Sequence, residues 1–392
     1  MADSILIVTP FYYEPPRQKV GVTQLAVSLS RYVRVVVISS LVEGAKAFEQ
    51  QGNLTIYRFR PWLYLRSIPY VVDPLLWHKI IHVARKEKSD IMVAITLEFL
   101  STFLAALAKG VLHIPLVVWP KGDRPTFGKS LLDLVPQVYH QTLGRFAIRR
   151  ADRVFCQTEH LRETVRRLGA SDREIRIVPQ GVDTERFRPG LDTTALRREL
   201  GIREGVRVVL FVGRLFPVKG VRYLLQAGKA ILEQYPQTLF VITGIGPLEQ
   251  ELKAMAQQID STRFLFVGFR QDIPLLLNLA TVFVLPSLTE GMPQTIVEAY
   301  ACGVSVVASN VGGVRDILRD GDHGFAVPAR DPAAIAHAVN RILGDEALRR
   351  KMSANNRQTA VTFYDLDKVA RETLRELQML SGEKREASFH SA

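Results

Sequence analysis

Short runs of apolar, often β-branched residues recur along the chain, and stretches with helical spacing separate them. This alternation constrains the fold more than any other feature. Ile5–Val8, Val35–Ser39, Leu54–Phe59, Ile91–Ile95, Leu116–Trp119, Val154–Cys156 and Ile175–Val178 read as strands. Val22–Arg31 and Leu97–Lys109 read as helices between them. Strands that are apolar throughout belong to a parallel sheet covered on both faces. A turn-rich stretch, Pro179–Asp183 followed by Phe187–Gly190, interrupts the pattern and reads as a linker. Beyond it the pattern restarts with strands at Val206–Val212, Leu239–Thr243, Phe264–Val267, Val282–Leu285 and Val304–Ala308, and helices such as Leu224–Tyr235 and Leu248–Gln258. A chain of 392 residues suits two domains. The expectation is therefore an α/β protein of two doubly wound, Rossmann-like domains, over 1–185 and 186–363. An amphipathic helix over about 364–380 is expected to pack back on the first. Ligands of such sheets lie outside the carboxyl ends of the strands, so a cleft between the domains is the default site.

Lys and Arg number 51 against 39 Asp and Glu, a net charge of +12. The excess suits an anionic partner: nucleic acid, a phosphorylated ligand or an acidic membrane surface. Cys156 and Cys302 read as small core residues, with no Cys-x-x-Cys or Cys/His cluster. His78 and His82 share a helix face without an acidic partner and read as packing, so no metal is expected. Asp3 comes before any basic leader, so a signal peptide is not expected. The most apolar stretch, Leu97–Trp119, is broken by Glu98, Lys109, Gly110, His113 and Pro115 and reads as helix plus strand rather than a membrane span. These readings make a cytoplasmic protein the expectation. Gly122–Ser130 imitates a Walker A loop, but five residues separate its glycines where four are needed, and Pro125 lacks an N–H. No Gly-x-Ser-x-Gly elbow marks a serine hydrolase.

Two segments carry chemistry. The first runs from Glu290 through Gly291, Met292, Pro293, Gln294, Thr295 and Ile296 to Glu298, directly after the strand Val282–Leu285. Gly291 permits close backbone approach, and the free N–H groups of the helix opening at Pro293 or Gln294 suit a phosphate. Glu290 on the loop and Glu298 about one and a half turns into the helix can accept hydrogen bonds from hydroxyls. Spacing alone does not distinguish them from two solvated acids; the strand, glycine loop and helix around them do. The second segment, Gly213-Arg214-Leu215-Phe216-Pro217-Val218-Lys219-Gly220, follows the strand Val206–Val212. Arg214 and Lys219 there can neutralise a diphosphate leaving group.

The order Pro179-Gln-Gly-Val-Asp183, Gly213-Arg-Leu-x-x-x-Lys-Gly220, Gly244-Ile-Gly-Pro247, Glu290-Gly-x-Pro-x-x-x-x-Glu-Ala299, then Cys302–Ala308 and Gly312-Gly313, resembles the retaining glycosyltransferases of family four, which have the GT-B fold. The resemblance is strongest from about Val154 to Pro328. It implies that Arg214 and Lys219 bind the donor diphosphate, Glu298 the ribose hydroxyls and Glu290 the transferred sugar. Backbone from Gly291 and Met292 to Ile296 would meet sugar and phosphate, and Phe269 and Arg270 would lie near the base. It also implies that no metal or other cofactor is needed. The chain departs from the family twice. Where a Gly-Gly pair is usual near the donor phosphate it reads Lys19-Val20-Gly21-Val22, leaving Gly21 alone. Where His is usual near the reacting sugar it reads Trp119-Pro120-Lys121-Gly122-Asp123, placing Lys121 there with Asp123 and Arg124 beside it.

The loop Phe11–Pro16 leaves the first strand and is expected to line the cleft. The segment Arg58–Trp77, with Arg60, Arg66, Arg145, Arg149, Arg150 and Arg153, can form an apolar, basic face for an anionic membrane or a lipid-linked acceptor. The functional expectation is transfer of a hexosyl unit from a nucleoside-diphosphate sugar to an acceptor hydroxyl of a glycan, lipid-linked molecule or small molecule, with retention. The alternatives are a GT-B sugar-nucleotide epimerase or phosphorylase, and a basic nucleic-acid-binding protein, for which no known module is present.

Overall fold

The computed structural model of the chain describes residues 3–11, 21–65, 70–122 and 138–389. Tyr12–Pro16, Lys19, Val20, Arg66, Asp123, Arg124 and the rest of the Walker-like segment beyond Gly122 lie outside the described residues. Two units divide the chain: Met1–Gly181 with Leu366–Ala392, and Val182–Asp365.

The first unit carries β1 (Ser4–Val8), β2 (Arg34–Ser40), β3 (Phe48–Gln51), β4 (Leu54–Phe59), β5 (Leu63–Leu65), β6 (Tyr70–Val72), β7 (Ile91–Ile95), β8 (Leu116–Trp119), β9 (Arg153–Cys156) and β10 (Ile175–Ile177). Eight of them form one sheet in the order β10-β9-β8-β7-β1-β2-β4-β3, and β5 pairs with β6 apart from it. All neighbours in the large sheet are parallel except β3 and β4. Every residue of β1, β7 and β8 is buried. Alternate side chains of β1 enter different cores: Leu6 and Val8 join one, Ile5 and Ile7 the other. Apolar layers on both faces account for the unbroken apolar runs in the sequence.

The helix Leu366–Phe389 supplies Val369, Ala370, Leu377 and Leu380 to the core that holds Ile5 and Ile7. It continues nine residues past the expected end at 380. The helix expected at Leu97–Lys109 runs Leu100–Leu112. Thr96 takes a left-handed conformation (φ 73°) and Phe99 an extended one, which delays the start. His113, also left-handed (φ 58°), donates its N–H to Lys109 O and ends it.

β3 has no apolar alternation and was not expected. It is a polar edge strand held to β4 partly by an ion pair between Glu49 and Arg58. Arg58 is buried and so cannot belong to the basic surface face expected around it. Arg60 and Trp62, by contrast, are exposed.

The second unit holds β11 (Val208–Val212), β12 (Leu239–Thr243), β13 (Phe264–Gly268), β14 (Val282–Leu285), β15 (Ser305–Ser309) and β16 (Gly324–Val327), all parallel, in the order β13-β12-β11-β14-β15-β16. The chain builds outward from β11 to β13, then returns to place β14 on the other side of β11. Loops leaving two such neighbours diverge and open a crevice at their carboxyl ends.

Leu377 is fully buried against β1-side residues of the first unit. Leu377→Ala should cost about 2–5 kcal/mol. In hydrogen exchange the loss of protection should fall on β1 and β2 and spare β11 and β14; equal loss in all four strands would contradict this packing.

Candidate functional site

The two segments singled out in the sequence leave the neighbouring strands β11 and β14. After β11, Gly213 donates its N–H to Thr243 O (3.1 Å) and Leu215 to Ile245 O (3.0 Å). Leu215 is buried and anchors the loop, while Arg214 on one side and Phe216 on the other are exposed. The Arg214 guanidinium lies 5.1 Å from the Phe216 ring centroid and, among the described residues, has no carboxylate partner. A single 3-10 turn, Pro217–Lys219, leads to the helix Val221–Gln234.

This loop is zipped to the one after β14. Leu288 donates its N–H to Val218 O (2.8 Å). Lys219 Nζ donates to Glu290 Oε1 at 2.6 Å, and Ser287 Oγ donates to the same oxygen at 2.6 Å. Glu290 is only 9 % exposed. A charged pair this sheltered holds geometry firmly, because removing either partner strands the other charge. Backbone fit adds to it. Gly220 has φ 62°, and a Cβ there would lie 2.0 Å from Pro286 O. Gly312 has φ 47°, and its Cβ would lie 2.0 Å from Glu290 O, which also accepts the Gly313 N–H (3.0 Å). Backbone atoms cannot yield as a side chain would, so only glycine fits these two positions.

Past Glu290 the chain enters the helix Gln294–Ala301, anchored by buried Met292, Pro293 and Ile296. Pro293 is its N-cap, and no side-chain hydrogen bond caps the helix start. The positive end of the helix dipole meets the loop. Gln294 and Thr295 form the first turn, and Glu298 stands one turn past Gln294 on the same face. Burial pushes the Glu298 carboxyl up to about 7, against the opposing pull of the Arg186 charge.

The structure thus brings together Lys219, Glu290 and Gly291 on paired loops, with Met292 to Glu298 following directly. Phe269 follows β13 and is 46 % exposed. Arg270 beside it is engaged by two acids: Nε donates to Asp272 Oδ1 at 2.8 Å and Nη1 to Glu199 Oε1 at 2.5 Å. Gly21 and Lys121 belong to the first unit, where both line a cavity of about 200 Å3. Sequence reasoning missed Ser287, although Ser287-x-x-Glu290 has the spacing of a Ser–Glu capping pair. It also missed Arg186, for which no local pattern gives a signal. Among the described residues, no three His, Cys, Asp or Glu converge as a metal site, and no described helix is long and apolar enough to cross a membrane.

Known families match both halves of the chain: Glycosyltransferase Family 4 over residues 18–186 and Glycosyl transferases group 1 over 192–359. The chain is 31 % identical over 333 residues to an Escherichia coli UDP-Gal:alpha-D-GlcNAc-diphosphoundecaprenol alpha-1,3-galactosyltransferase, covering 82 % of this chain and 84 % of that protein. It is 38 % identical over 226 residues to a Geodermatophilus obscurus D-inositol 3-phosphate glycosyltransferase, covering 54 % of this chain and 49 % of that one. Among solved structures, Anabaena Alr3699/HepE in complex with UDP-glucose superposes with a TM-score of 0.77 at 21 % identity, over 96 % of this chain and 99 % of that one. Sucrose-phosphate synthase of Thermosynechococcus elongatus gives 0.79 at 20 % identity, over 97 % and 100 %.

The raised Glu298 carboxyl has a consequence for stability. The unfolded chain ionises this group near 4.5, whereas the folded chain keeps its proton until about pH 7. Between these values the folded state binds more protons, so its stability falls as pH rises, and the fall ends above about 7. The melting-temperature advantage of Glu298→Gln over the parent should therefore grow from pH 4.5 to about 7 and then level off. An advantage constant over that window would show that the folded state does not hold the proton.

Proposed function

The chain belongs to the family 4, group 1 glycosyltransferases with the GT-B fold, enzymes that use nucleotide sugars, and from that premise we propose that it moves a hexosyl unit from a UDP-sugar to an acceptor hydroxyl with retention at the anomeric carbon. One observation carries the assignment of the donor site: at the β11/β14 switch point the Lys219–Glu290 pair locks two glycine-bearing loops beside the start of the helix Gln294–Ala301. UDP is favoured by the UDP-Gal-dependent relative that aligns over most of the chain.

In this reading the diphosphate meets Arg214, Lys219 and the opening amides of the helix Gln294–Ala301. As the bond from the anomeric carbon to the phosphate oxygen breaks, its electron pair leaves with the diphosphate. Two cations and a helix dipole stabilise that charge. The acceptor oxygen attacks the anomeric carbon from the face the phosphate leaves, and its proton passes to the departing phosphate oxygen. Glu298 accepts hydrogen bonds from the ribose hydroxyls, Glu290 from the sugar, and Phe269 offers its exposed ring to the base. Arg214 and Lys219 take the place of a divalent cation, so turnover is independent of metal. A lipid-linked acceptor fits the specificity of the Escherichia coli relative. Exposed Trp62, Leu63 and Leu75, with exposed Arg60, suit cytoplasmic work at an anionic membrane surface.

Arg214→Ala and Glu298→Ala should each lower donor turnover by more than about tenfold while the folded state is retained. Full activity in either variant would remove that residue from the donor site. In a thermal-shift panel of UDP-, GDP-, ADP- and dTDP-sugars the UDP compounds should stabilise most, and turnover should survive EDTA. Loss of turnover in EDTA that Mg2+ or Mn2+ restores would overturn the metal-independent mechanism.

A further inference from the structure

The first unit contains a cavity that the donor site in the second unit does not use. It encloses about 200 Å3, and Thr9, Gly21, Thr96, Phe99, Lys121 and Gln180 are among its walls. It lies at the switch point of the first sheet. Thr9 follows β1 and Thr96 follows β7, neighbours in the sheet that are far apart in sequence. Ligands of doubly wound sheets collect at such points.

Among the described residues, Lys121 is the one charged residue lining this cavity. Its Nζ stands 3.9 Å from the Trp119 ring centroid, and among the described residues it has no carboxylate partner. The other polar lining is neutral. Gln180 Oε1 accepts from Gln157 Nε2 (2.9 Å), which fixes the amide and turns its nitrogen toward Gly21. A Cβ on Gly21 would lie 1.9 Å from that nitrogen. Thr96, a β-branched residue with φ 73°, adds a strained backbone to the lining, with its N–H on Trp119 O (3.0 Å) and its carbonyl accepting from Thr102 Oγ1 (2.6 Å). An ammonium and an amide nitrogen thus meet one cavity, and among the described residues no acid lines it.

We infer that this cavity binds an anionic group carried by a substrate, a carboxylate or a phosphate, and that Lys121 sets the preference for charged over neutral substrate. The assignment of the anion to a substrate rests on the glycosyltransferase reading. Burial pushes Lys121 down to about 7, and an anion brought against it restores the charged form. A charge-assisted hydrogen bond in a sheltered site discriminates strongly, since a neutral ligand leaves the ammonium unmatched. Two sources offer this chemistry: a uronosyl group on the donor, or a phosphate on the acceptor.

The experiment measures affinities for two matched pairs, UDP-glucuronate against UDP-glucose and N-acetylglucosamine 1-phosphate against N-acetylglucosamine, with UDP alone as reference. The proteins are the parent, Lys121→Gln and Lys121→Arg. In one pair the parent should prefer the anionic member by about tenfold or more, and the pair that shows it identifies the source. Lys121→Gln should bring that ratio within about twofold of unity and Lys121→Arg should keep most of it, with UDP affinity unchanged in both. Equal affinities within both pairs in the parent would overturn the inference, as would a preference that survives in Lys121→Gln. So would a loss of UDP affinity in Lys121→Gln as large as the loss for the anionic sugar, because Lys121 would then be a ligand of the diphosphate. Absence of any nucleotide-sugar turnover in the parent would instead sink the glycosyltransferase reading, and the phosphate pair, read as binding, would still decide the cavity.

Discussion

The pairing of β11 with β14 is the constraint on which the rest of the donor unit depends. These strands have β12 and β13 between them in the sequence yet lie side by side, with Val209 opposite Val282 and Leu210 opposite Phe283. Their adjacency puts the Gly213–Gly220 loop next to the Pro286–Glu290 loop. Only then can Leu288 donate to Val218 O and Lys219 reach Glu290. The sheet fixes where the loops start, the glycines fix how closely they approach, and the ion pair fixes the carboxylate. Each layer works only if the one below it holds. The cost of the pair is met by the surroundings: Ser287 donates to the same oxygen that Lys219 does, so the sheltered carboxylate is satisfied from two sides.

Much of this was legible in the sequence where physics is local. Ile91–Ile95, Leu116–Trp119, Leu239–Thr243 and Val282–Leu285 were read to the residue, because a strand buried on both faces must be apolar at every position. β3 escaped because an edge strand needs no such pattern; Phe48-Glu-Gln-Gln is held by its neighbour β4. β16 escaped because Gly324-Phe-Ala-Val is too short to stand out from turns. The candidate site was legible as two loops, each with its own glycine and charge. Their meeting was not, since strand order is a property of the whole sheet. Nor could sequence show that Arg270 is engaged by Glu199 and Asp272, the first of which is 71 residues away.

The net charge of +12 takes a different meaning once these pairings are known. Taken as a sum, it suggested any anionic partner. In the structure the cations differ in what they do. Arg58 holds Glu49, Arg270 holds two acids and Arg153 holds Glu383. These neutralise charge inside the protein and build its scaffold. Arg214 and Lys121 differ, because each rests near an aromatic ring and has no acid partner among the described residues. A ring face steadies a cation without neutralising it, so the charge remains available to a ligand. Neither position could be told from a structural Arg or Lys by composition or spacing. The distinction lies in which carboxylates the fold leaves out of reach, and it separates cations that hold the enzyme together from cations placed to meet what it binds.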